Sequence, residues 1–252
     1  EQYAPNLKDL ASRDVVSRAI YKEIRAGRGI DGKHHVHLDA THLGGDVIEN
    51  KLPEIADFCR TYLGLDPVTT PMPVEPTAHY GMGGIPTDVD GRVEVDEQGN
   101  TMRGLYAAGE CACVSVHGAN RLGTNALLEL VVFGRRAGNA MAEYCAGAEL
   151  EPAGEAPMEQ AREAVETLRT RDSGERPADI RREMQELMME NVSVFRTEEL
   201  LQEAKEELVG LRERARSIAI DDRRKTFNTD LTEAWETVGM VELAQVITEC
   251  AL

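Results

Sequence analysis

Within twelve residues, at positions 110 to 121, this chain places a carboxylate, an imidazole and a guanidinium: Glu110, His117 and Arg121. A long apolar stretch follows, and the spacing predicts a helix beginning near Thr124 or Asn125, whose side chains can accept from the free amides of a helix start. A guanidinium held in a loop beside unpaired N–H groups and a positive dipole end makes a site for carboxylates or phosphates. Arginine suits a carboxylate better than lysine there, because its fork of donors is planar and always charged. The competing reading of Arg121 is a loop cap bonded to backbone carbonyls.

Three more residues invite chemistry. His79 stands between a proline-rich connector and the turn Gly81-Met-Gly-Gly84, where glycines let a flat ligand approach the backbone. The plainer reading of a lone histidine is structural. Glu110 follows Gly109 at the end of an apolar strand, where an acid can accept from sugar-like hydroxyls; an exposed turn acid is the alternative. Arg13-Asp14, at a helix start, reads by itself as a surface ion pair of little worth. His117 could touch a ligand or brace the loop, and bracing is preferred. His34, His35, His37 and His42 suggest a metal cluster at first sight. Strand alternation sends 35 and 37 to one face and 34 to the other, and no second ligand pair follows at a zinc spacing, so no metal site is assigned.

The elements that must position these residues are legible in outline. Asp14 to Arg25 has helical spacing, His35 to Asp39 alternates like a strand, and Val47 to Tyr62 is helical with a break or restart at Pro53. Pro67, Pro71, Pro73 and Pro76 make a stiff extended connector. Arg92 to Asp96 reads as an exposed hairpin strand, and Gly104 to Ala108 as a buried strand. The helix from about Asn125 to Cys145 is apolar on most sides and is therefore placed in the interior. Gly147 to Pro157 turns small and polar, the best boundary. Beyond it, helices are expected over 158–171, 177–192, 197–218 and 229–250, with Thr197 as a start signal.

Composition narrows the class. The formal charge is −17, from 45 acidic and 28 basic residues, which argues against a nucleic-acid partner. Only six of the basic residues are lysine. Abundant acid with scarce lysine suits a salty cytoplasm; solubility alone is the plainer explanation. Five scattered cysteines without a CxxC suggest a reducing compartment, and Cys111-Ala-Cys113 reads as small buried filler. The sequence contains neither a targeting segment nor a membrane-length apolar run.

Three motifs, in order, carry a resemblance: Ala11-Ser-Arg13-Asp14-Val-Val-Ser-Arg18, Pro76-Thr-Ala-His79-Tyr-Gly-Met-Gly-Gly-Ile85, and His117-Gly-Ala-Asn-Arg121-Leu-Gly-Thr-Asn125-Ala-Leu-Leu-Glu129. Together they resemble the succinate dehydrogenase and fumarate reductase flavoprotein subunits. The resemblance implies an α/β (α+β) fold: half of an FAD/NAD(P)-binding-like domain with a capping-domain remnant, followed by an all-α helical bundle. The implied domains are 1–78, the end of the capping domain; 79–148, the returning part of the FAD-binding domain; and 149–252, the helical domain.

It also implies succinate oxidation to fumarate, a tricarboxylic acid cycle step, with FAD as cofactor. Electrons would pass to an iron–sulfur subunit, with membrane-anchor subunits holding the complex at the cytoplasmic face of the membrane. His79 and Arg121 would hold the substrate carboxylates, and Arg13 would shuttle the proton. Gly109, Glu110 and the Asn125-Ala126-Leu127 turn would contact the flavin. No G-x-G-x-x-G pyrophosphate fingerprint follows a strand in these residues, so it is expected upstream of Glu1. The chain is accordingly expected to be an internal-to-C-terminal portion, truncated at both ends and inactive alone. Fumarate reductase and L-aspartate oxidase, which shares the H-G-A-N-R loop, are the alternatives within the fold. A non-catalytic module that docks the iron–sulfur subunit is the alternative from another class.

Overall fold

The structure, a computed structural model, describes residues 2–118, 120–149, 152 and 154–252. The chain forms two compact units, one of residues 1–77 with 156–252 and the other of residues 78–155.

In the first unit, apolar periodicity produces a helical bundle. Helix α1 spans Arg13–Arg25. Helices α2 (Gly45–Lys51) and α3 (Pro53–Phe58) divide at Pro53, which sits at a helix start where its missing N–H costs nothing, and a π turn, Cys59–Leu63, extends α3. Strands β1 (Val36–Leu38) and β2 (Met72–Val74) pair antiparallel, Val36 opposite Val74, so part of the proline-rich connector is a strand. Ile48, Ala56, Cys59 and Met72 form a small core beneath them.

The remaining helices of this unit are α5 (Glu155–Thr170), α6 (Pro177–Asn191), α7 (Glu198–Ala215) and α8 (Thr229–Glu249), with α4 (Asn125–Gly147) belonging to the second unit. Ile180, Leu208, Ile218 and Val241 are fully enclosed at their centre. Thr197 caps α7 by accepting from the Leu200 N–H at 3.3 Å, and Asn228 caps α8 by accepting from Leu231 at 2.8 Å. Tyr21 of α1 donates to the Met189 carbonyl at 3.1 Å and lies beside the Phe195 ring, fastening α1 to the end of α6.

The second unit holds the site. Strands β3 (Ile85–Pro86) and β6 (Ala112–Cys113) pair in parallel, while β4 (Arg92–Glu94) and β5 (Thr101–Tyr106) form an antiparallel hairpin. Helix α4 runs from Asn125 to Gly147.

Four expectations change here. Strand β5 stops at Tyr106 with Leu105 exposed, so the segment expected to be buried through Ala108 is half surface. Cys111 is exposed and Cys113 half-buried; neither is enclosed filler. Thr124 precedes α4 in a left-handed conformation (φ 71°) with no side-chain cap, so the helix start lacks the expected Thr or Asn acceptor. Helix α4 is not interior on most sides: Leu127, Leu128 and Val131 are 64%, 60% and 71% exposed. Burial is confined to Glu129, Ala137 and Ala140 on one narrow face. Apolar composition states what a helix can bury, not what lies against it.

Candidate functional site

Two returning segments of the second unit build the site. The first, His79-Tyr-Gly-Met-Gly-Gly84, leads into β3; the second runs from β6 through His117 and Arg121 into α4. The parallel β3–β6 pair brings them together, with the Ile85 N–H donating to the Cys111 carbonyl at 2.9 Å. Gly84 permits this approach: at φ +122° its missing Cβ would lie 2.5 Å from the Cys111 oxygen. Gly109 is the second forced glycine. It is buried at φ +83°, and a Cβ there would stand 2.7 Å from Leu130 Cδ2 of α4.

Glu129, inside the apolar stretch of α4, anchors the polar network. Its side chain is 2% exposed. A carboxylate so deeply buried is costly unless its oxygens are satisfied. Oε2 accepts from the Tyr80 hydroxyl at 2.8 Å and lies 2.5 Å from His117 Nε2. Burial beside this acid pushes the Tyr80 phenol up to about 12, desolvation first and the hydrogen bond to Glu129 second. The raised value favours the protonated, folded state fully below the ordinary tyrosine range and loses that advantage as pH climbs through 10 to 12. In a spectrophotometric titration, a late tyrosine step should appear towards about 12. That late step should vanish in Tyr80→Phe.

Arg121 stacks its guanidinium on the Tyr80 ring, 4.5 Å from the ring centre. Among the described residues it makes one hydrogen bond, to the Leu122 carbonyl at 3.3 Å, and its buried Nε has no partner. The carbonyl-capping role is therefore slight, and most of the fork remains for a ligand. His117 meets the Tyr80 ring edge-on at 5.8 Å, and its Nε2 is committed to Glu129, which is the bracing role. Its Nδ1 is buried without a partner among the described residues.

His79 is exposed beside this cluster in sequence, and the residues after it are pinned: Tyr80 by Glu129, and the Gly81 N–H by Glu110 Oε1 at 3.1 Å. Arg13 lies in the other unit, exposed as the first residue of α1. Its sequence neighbour Asp14 pairs with Arg18 rather than with it. The Ser12 hydroxyl at 2.5 Å is the main cause holding the Asp14 carboxyl below its usual range.

The geometry also fits a flavin. Glu110, directly after the buried Gly109, is exposed, where its carboxylate can meet hydroxyls. Asn125, Ala126 and Leu127 form the first turn of a 23-residue helix, whose dipole favours negative charge. The exposed Leu127 and Leu128 offer apolar surface to a flat ring.

Tyr80 and Glu129 carried no role in the sequence reading. A signal existed for Glu129: it is the lone charged residue in the run Ala126 to Phe133. An acid inside such a run must either break the apolar face or find partners within it.

The fold, together with its family matches, is that of an FAD-binding flavoprotein. Residues 3–127 match the FAD binding domain family, and residues 181–252 match the fumarate reductase flavoprotein C-terminal family. The chain belongs to the succinate dehydrogenase and fumarate reductase flavoprotein family. It is 43% identical over 251 residues to a succinate dehydrogenase flavoprotein subunit of Rickettsia bellii, covering 98% of this chain and 42% of that protein. A fumarate reductase flavoprotein subunit of Mycobacterium tuberculosis is 42% identical over 253 residues, 97% of this chain and 42% of the relative. Among solved structures, an E. coli quinol fumarate reductase superposes with a TM-score of 0.82 at 40% identity, covering 96% of this chain and 41% of its counterpart. The chain thus spans about two fifths of the length of these relatives.

Proposed function

We propose that this chain is the part of a succinate dehydrogenase flavoprotein subunit that grips a four-carbon dicarboxylate beside FAD. The observation that carries this reading is Arg121: a half-buried guanidinium seated on an aromatic ring, with most of its donors uncommitted among the described residues, next to a flavin-compatible helix start. Arg121 holds one substrate carboxylate as a fork, and His79 meets the other. The fixed cation orients the substrate and offsets its charge, and the ring beneath it restricts where the fork can point.

Gly109, Glu110, Asn125, Ala126 and Leu127 hold the flavin. Bound FAD supplies the capacity to accept two electrons as hydride. Arg13 takes the role of proton shuttle at the substrate carbon on the strength of the sequence motif alone. A guanidinium gives up its proton only when desolvated and relayed to neighbours, since its pKa lies above about 12.

In the whole protein, electrons pass to an iron–sulfur subunit, and membrane-anchor subunits hold the assembly at the cytoplasmic face of the membrane. Relatives named as subunits of such enzymes support this assignment, and no helix among the described residues is long and apolar enough to cross a membrane. Fumarate reduction uses the same groups in reverse.

The test is the full-length flavoprotein assayed with succinate, fumarate and aspartate. Turnover of succinate with an artificial electron acceptor supports the reading. Turnover of aspartate alone would replace it with an L-aspartate oxidase, and a colourless protein that still binds the iron–sulfur subunit would make it a docking module.

A further inference from the structure

We infer that Glu129 is a positioning residue for the substrate grip, setting Arg121 through the ring of Tyr80. The inference rests on the dicarboxylate reading above for its substrate. Its geometry stands apart from that reading.

Three observations carry it. The Glu129 side chain is 2% exposed, in the only charged position of the apolar stretch that opens α4. One of its oxygens receives both the Tyr80 hydroxyl, at 2.8 Å, and His117 Nε2, at 2.5 Å. The Tyr80 ring then carries the Arg121 guanidinium at 4.5 Å and meets His117 edge-on at 5.8 Å. A phenol that donates to a carboxylate pushes electron density into its ring, and an electron-richer face holds a cation more firmly. The carboxylate therefore acts on Arg121 in two ways, by fixing where the ring stands and by strengthening the ring's hold.

Reach extends to the other end of the grip. Tyr80 directly follows His79, and the next peptide N–H is held by Glu110 at 3.1 Å. With Tyr80 and Gly81 both tied, the backbone that presents His79 has little freedom. One buried acid on α4 thus sets both carboxylate-binding residues without touching substrate.

The experiment uses full-length flavin-loaded protein carrying Glu129→Gln, Glu129→Asp, Tyr80→Phe, and Glu129→Gln with Tyr80→Phe. Glu129→Gln should raise the KM for succinate about tenfold or more while kcat falls less than about threefold, the pattern of lost ground-state and transition-state binding alike. Glu129→Asp keeps the charge and should recover most of that loss. Tyr80→Phe should reproduce the KM rise, and the double variant should be little worse than either single, because both changes cut the same link. A wild-type KM in Glu129→Gln, or additive effects in the double variant, would overturn the inference. Should Glu129→Gln fail to fold, Tyr80→Phe alone decides: an unchanged KM overturns it.

Failure of the substrate reading is seen separately, as wild-type protein that turns over neither succinate nor fumarate. The positional claim is then read from a crystal structure of the Glu129→Gln protein, or of Tyr80→Phe where that alone folds. A guanidinium that has left the residue-80 ring supports the claim; one still within about 5 Å of its centre sinks it.

Discussion

Replacing Arg121 with lysine should cost the full-length protein about 100-fold or more in kcat/KM for succinate, although the charge is retained. Each charge-assisted hydrogen bond contributes about 1.5–3 kcal/mol, and a carboxylate held by a fork uses two. Lysine offers a single rotating ammonium on a flexible stem. It would also lose the stacking of a planar group on the Tyr80 ring, 4.5 Å away in the wild type. Steady-state kinetics decide the matter, with flavin absorbance as the control for folding. A variant within a few-fold of wild type would remove Arg121 from the substrate grip and return it to bracing the loop before α4. Arg121→Ala should be more damaging still, since no guanidinium would then stand on the Tyr80 ring.

The second large effect is expected at Gly84. An alanine there must adopt φ +122° and place its Cβ 2.5 Å from the Cys111 oxygen and 2.8 Å from the Cys111 carbonyl carbon. That oxygen already accepts the Ile85 N–H at 2.9 Å, so neither strand can shift without giving up the β3–β6 pairing. Backbone strain of about 1–3 kcal/mol adds to an overpacking cost of similar size. Gly84→Ala should therefore lower the melting temperature of the protein and release its flavin, because the two site segments meet through this pair. Gly83→Ala is the control. Its φ is +106°, but a Cβ there meets nothing within 4 Å, so it should carry the backbone cost alone. Equal stability loss in the two variants would show that the contact with Cys111 does not matter.

Much of the helical unit was legible because its residues obey one rule at a time. The periodicity of 177–192 and 229–250 corresponds to α6 and α8 within a residue or two, and Thr197 caps α7 as a start signal should. Pro53 divides two helices as expected. The second unit was harder to read, since its order comes from contacts across long sequence separations. Tyr80 and Glu129 are 49 residues apart, and no local pattern announces that one will hold the other. The proline connector concealed β2, whose partner β1 lies more than thirty residues earlier. The same gap explains α4. Its apolar residues suggest enclosure, whereas enclosure depends on neighbours that a helical pattern does not name. Arg121, His79 and Glu110 stand out by residue type and position, and the resemblance lends them roles; their physical surroundings are visible only in the folded chain.

The contrast between the enclosed bundle and the open face of α4 has a consequence for how the molecule yields to heat. Cohesion in α6, α7 and α8 comes from interlocking side chains such as Ile180, Leu208 and Val241. Around the site, few apolar groups are enclosed, and order rests on a handful of polar ties converging on Glu129 and Glu110. Segments of that kind open at lower free energy than a packed core. Warming this chain should therefore free the amides of the first turns of α4 to hydrogen exchange while those of α8 remain protected. The site would come apart as a separate cooperative step, leaving a still-folded bundle that can no longer grip anything.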